Sequence, residues 1–153
     1  MNGSSSDQDV VCGTNAKLLT GRRASTAAYA ILVLAGLYGV HGVASFAIAP
    51  LPKLTPGNAI GGALVVAVME ILLLWSSRTV RRGGSLVVAA VMVALCLCGG
   101  GLGAVLSSRS TGPNKAWFVV LQFLVFGWAL LTLVLLLFVH DARTNARAAA
   151  GGR

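Results

Sequence analysis

The stretch GNAIGGALVVAVMEILLLWSS, residues 57–77, decides the fold of this chain: its apolar interior carries one charged group, Glu70, and it contains no Lys, Arg or Asp. A helix of about 20 residues crosses a hydrocarbon core of about 30 Å, and this stretch is that long. Working outward, three more runs lack Lys, Arg and Asp, at 24–49, 85–106 and 116–139. None alternates with the period of two that marks a membrane strand. Backbone groups at membrane depth find no water, so each run must satisfy its own hydrogen bonds as a helix. With 56% hydrophobic and 10% charged positions, the composition excludes an ordinary soluble domain. The expected fold is therefore all-α: a polytopic membrane protein built as an antiparallel bundle of four transmembrane helices. A mostly disordered tail, 1–23, is expected before it, with helix starting near Ala16, and a basic tail, 140–153, after it.

The basic residues orient these spans, because Lys and Arg near span ends are retained in the cytoplasm. Lys17, Arg22 and Arg23 precede the first run, Arg78, Arg81 and Arg82 separate the second from the third, and Arg143, Arg147 and Arg153 follow the fourth. The other two connections hold only Lys53, Arg109 and Lys115. Both termini are expected in the cytoplasm of a cell-membrane protein, and the net charge of +8 is mostly an orientation signal. Its split among three segments, with no aromatic residues interleaved, argues against nucleic acid as a partner. The expected partners are the lipid bilayer and either other membrane subunits or a second copy. SFAIAP supplies an A-x-A pattern, but the apolar run before it is longer than a signal core and Pro50 would follow the cut, so no cleavage is expected. The connections PLPKLTP, RTVRRGG and SSRSTGPNK are short, which confines any site to the bundle or its mouths.

Few chemical groups are available. Cys96 and Cys98 lie about 200° apart around one helix and cannot bridge each other, and C-x-C is not a metal or redox spacing. His41 and His140 are separated by about 23 Å of depth, so one chain cannot offer both to a haem. No nucleophile elbow, phosphate loop or carboxylate pair occurs. No cofactor or metal is expected, and an enzyme is the least favoured class.

Glu70 is the candidate proton or ion site. Gly62, Ala63 and Ala67 share its side of the helix, and small residues mark where membrane helices approach. A carboxyl at that depth costs about 2.5–3.5 kcal/mol when charged on insertion scales, and avoids much of this by holding its proton. Tyr38, His41 and Ser45 form a polar stripe on the first span. Centring each run on the bilayer places His41 and Ser45 beside Gln122 and the CGGGLG stretch, places Thr132 in the other half, and separates His41 from Glu70 by about 9 Å of depth. These five residues make a candidate polar track. Gly99, Gly100, Gly101 and Gly103 form a candidate flexible segment, since glycine costs about 1 kcal/mol relative to Ala within a helix. A membrane Glu in the second span departs from the small multidrug transporters, and PLPKLTP lacks the tryptophan and cysteine motif of claudin-like proteins. The functional expectation is an accessory or assembly subunit of a larger membrane complex; the alternative is a small oligomeric proton- or cation-coupled transporter using Glu70.

Overall fold

The computed structural model describes residues 5–48, 56–108 and 115–151, with side-chain surroundings over 21–45, 57, 60–99 and 116–149. Lys53, Arg109 and Arg153 lie outside the described residues. Four helices make up the described chain, which contains no strand: α1 (Ser5–Ile48), α2 (Pro56–Arg81), α3 (Leu86–Ser108) and α4 (Lys115–Gly151). Three are long and apolar enough to cross a membrane, over Gly21–Ser45, Ile60–Arg81 and Ala116–Ala149. In α3 the apolar stretch among the residues with described side chains is Leu86–Gly99, and the helix runs on unbroken through the glycines to Ser108.

Local chemistry sets the ends. Pro56 opens α2, where a missing N–H costs nothing. Ser85 caps α3 by accepting the Val87 N–H at 3.2 Å. Between them, Gly83 has φ +80°, its N–H bonds Val80 O at 3.1 Å, and the Gly84 N–H bonds Thr79 O at 2.9 Å. That is a Schellman stop, which needs a left-handed residue and finds a glycine. It ends α2 at Arg81 rather than at Ser77, the last residue of the apolar run. α1 differs more, starting at Ser5 instead of near Ala16. Extending an established helix costs little per residue, so polar composition alone does not set its start.

Each helix packs against its sequence neighbours, and α4 returns to pack against α1. Ser77 Oγ donates to Ala28 O at 2.9 Å, while Gly42 faces Val66, so α1 and α2 run antiparallel. Trp128 Nε1 donates to Ala30 O at 2.9 Å, and His41 stacks at a tilt on Phe118, so α1 and α4 do too. The described core gathers toward the end marked by Arg78 and Arg81, around Ala27, Ile31, Leu34, Leu73, Val93 and Ala129. Outward faces carry Leu64, Val68, Ile71, Leu124, Leu131 and Phe138, all exposed. This apolar exterior suits a protein embedded in membrane rather than in water.

Candidate functional site

Glu70 is partly buried and sits in the seam between α1 and α2. Its carboxyl occupies the space that a side chain at position 39 would fill: a Cβ built on Gly39 would fall 3.1 Å from Glu70 Cδ and closer still to Oε1. One turn away, a Cβ on Gly42 would meet both Val66 methyls, at 2.8 and 2.9 Å. The two glycines thus set the approach of the helices, Val66 and Glu70 being neighbours at i, i+4 on α2. Among the described residues Glu70 makes no hydrogen bond or ion pair.

The small residues that admit the carboxyl are therefore on α1. Ala63 and Ala67, expected to face a neighbouring helix with Glu70, are exposed, as are Val65, Val68 and Trp75 on the other side. Glu70 stands at the edge of the packed seam, with α1 on one side and the open Ala63–Ala67 face on the other.

The expected depth gap between His41 and Glu70 is also revised. Glu70 is level with Gly39, two residues or about 3 Å of rise from His41. Centring two apolar runs at one depth ignores what sets helix register, which here is the pair of glycines; in addition, helical side chains lean toward their own N-terminus, and on α2 that carries the carboxyl toward Gly39 and Gly42. The two side chains nevertheless lie on different sides of α1, Glu70 reaching in from α2 against Gly39. His41 turns to α4, where its ring centroid is 5.1 Å from that of Phe118 and the Gln122 amide lies beside it. His41 Nε2 is buried without a hydrogen-bond partner among the described residues. Gln122, itself buried, reaches α3 through a long 3.5 Å bond from Nε2 to Gly99 O.

The polar track consequently divides. His41, Gln122 and Gly99 converge between α1, α4 and α3. Ser45 Oγ turns back to His41 O at 2.7 Å, and Thr132 Oγ1 to Trp128 O at 2.8 Å, each within its own helix. Thr132 is fully enclosed in the core, away from Glu70, and Tyr38 is packed partly against the core. Gly100, Gly101 and Gly103 are helical, and Gly99 has open space where a Cβ would stand. No metal-holding group of three His, Cys, Asp or Glu side chains occurs among the described residues. Cys96 is buried and Cys98 exposed, as two steps around a helix require.

Gly39 and Gly42 are the site residues that sequence reasoning misses. Their signal was present in GLYGVHG, where Gly36, Gly39 and Gly42 recur every third residue, and it was masked by the denser GGGLG run. No protein-family model matches this chain, and no curated protein and no solved structure matches it either.

Proposed function

We propose that this chain is a four-span membrane protein, folded as an antiparallel bundle with both termini in the cytoplasm, that serves as an accessory or assembly subunit of a larger membrane complex. One observation carries the reading: α2 is the least covered of the long apolar helices, and its open face joins Ala63 and Ala67, at the small-xxx-small spacing, to the edge of a carboxyl without a described partner. A partner helix lying over the two alanines approaches closely enough to hydrogen-bond Glu70. After mild detergent extraction the protein is expected in a defined heteromeric complex. Ala67→Trp should release the partner, whereas Val91→Trp, on the exposed face of α3, should not. A protein that elutes alone, or a complex indifferent to Ala67→Trp, would remove this role.

A second reading is favoured by the seat of the carboxyl against Gly39, within about one turn of the His41–Gln122 cluster. In an oligomer, Glu70 would exchange a proton or bind a cation. Proteoliposomes should then show pH-driven flux that Glu70→Gln abolishes while the variant elutes as wild type, because an amide has no proton to release. Flux that survives the substitution would eliminate Glu70 as the carrier.

A further inference from the structure

A separate groove of about 340 Å³ opens between α1 and α2 at the arginine end, lined among others by Ser25, Tyr29, Leu32, Leu74, Arg78 and Arg81. We propose that it binds one anionic phospholipid, with the phosphate on Arg78 and Arg81 and an acyl chain along Leu32 and Leu74. The proposal rests on the membrane-spanning reading and is independent of the subunit or transport role.

The argument begins with charge. Arg78 and Arg81 are three apart on α2, so both guanidiniums overlook one face, and each presents a planar donor fork suited to phosphate oxygens. Both are exposed, and among the described residues no carboxylate pairs with them. Of the chain's four acids, Glu70 lies eight residues from Arg78, about 12 Å along the helix. Asp141 is on α4, where its carboxylate accepts from Asn145 Nδ2 at 3.4 Å. Asp9 precedes Ser25 by about 24 Å on the continuous α1, and Asp7 is farther still. Arg143, by contrast, spends its donors on Gly84 O at 2.7 Å and Val80 O at 3.3 Å, whereas no described residue engages the guanidiniums of the groove pair.

The second element is polarity along the groove. Leu74 lies one turn from Arg78 toward the membrane interior, and Leu32 lies two turns from Ser25 in the same direction. Tyr29, Leu32 and Leu74 are exposed apolar surface. The lining thus passes from two cations to an apolar trough, the order in which a phospholipid passes from phosphate to chain. A soluble anion has no use for the trough, and a neutral lipid makes poor use of the arginines. The Ser25 and Tyr29 hydroxyls form no hydrogen bond with other described residues and are available to the glycerol-ester region. The volume falls within the range of about 300–1,000 Å³ in which compact ligands are held. Basic pockets between spans, at the membrane face that carries the positive charge, are where anionic head groups are recognised.

Native mass spectrometry of the purified full chain tests this, after exchange into detergent with equimolar phosphatidylglycerol and phosphatidylcholine. Wild type should retain phosphatidylglycerol preferentially. Arg78→Gln and Arg81→Gln should each lower that retention about five-fold, the equivalent of about 1 kcal/mol per charge. Arg78→Lys should keep most of it, and Arg82→Gln, which alters a neighbouring arginine outside the groove, should leave it unchanged. Leu74→Trp, which fills the trough with both arginines intact, should also lower it, and supplies a test if the glutamine variants do not fold. Equal retention of the two lipids, or an equal loss in Arg82→Gln, would overturn the site in favour of diffuse attraction. Displacement by millimolar inorganic phosphate would overturn it in favour of a soluble anion.

Discussion

At the scale of single residues, Gly39 and Gly42 look equivalent in sequence but face different neighbours. At position 39 an added methyl meets the tip of the Glu70 side chain, which has rotatable bonds and open space toward Ala67. At position 42 it meets the two methyls of Val66, a β-branched side chain with little freedom to turn. We therefore predict that Gly39→Ala leaves thermal stability nearly unchanged while displacing the carboxyl, and that Gly42→Ala costs about 1–3 kcal/mol by forcing the helices apart. Denaturation of both variants in one detergent checks the contrast. Val66→Ala should restore the Gly42→Ala variant, and absence of that rescue would show that the overlap is not what destabilises it. Glu70 was legible in the sequence because a charge in an apolar run is conspicuous. The glycines opposite it leave a signal in GLYGVHG, but which neighbour they admit is a property of two helices and cannot be read from one.

Among the elements, the turn from α2 to α3 is fixed twice, by the left-handed Gly83 within it and by the Arg143 guanidinium reaching across from α4. A non-glycine residue in the left-handed region costs about 1–2 kcal/mol, so Gly83→Ala should destabilise by that amount. Arg143→Ala should cost about 1.5–3 kcal/mol, the worth of hydrogen bonds from a charged donor. Because both act on the same turn, the double variant is predicted to lose less than the two losses combined, and a thermodynamic cycle reads the difference. Strict additivity would mean that the turn keeps its shape without its clamp. The sequence reading ends the span at Ser77 and takes RTVRRGG whole as the connection, whereas the glycines of RRGG, which follow the last turn and cannot extend it cheaply, are where the helix stops. Arg143 is not legible as its clamp, because it lies 59 residues from Gly84 and reads as one more charge of the basic tail.

For the whole molecule, the placement of the helices was legible because burial in lipid imposes a composition that long apolar runs display openly. Their mutual register was not, because centring each run assumes a common depth, while the Gly39–Glu70 and Gly42–Val66 contacts shift α1 against α2. The orientation inferred from the arginines is predicted to give a sided labelling pattern. In a background without native cysteines, Lys53→Cys and Lys115→Cys should react with an impermeant maleimide applied to intact cells, and Arg82→Cys should not. The reverse pattern would invert the protein and move the lipid groove to the opposite leaflet. The packing of α4 on α1 is fastened where Trp128 donates to Ala30 O across 98 residues of sequence. While the chain is being made, the side of α1 destined for α4 must wait through two intervening helices with only lipid or a chaperone against it. A chain halted before α4 presents that waiting side permanently, which gives membrane quality control a surface by which to recognise a copy that lacks α4.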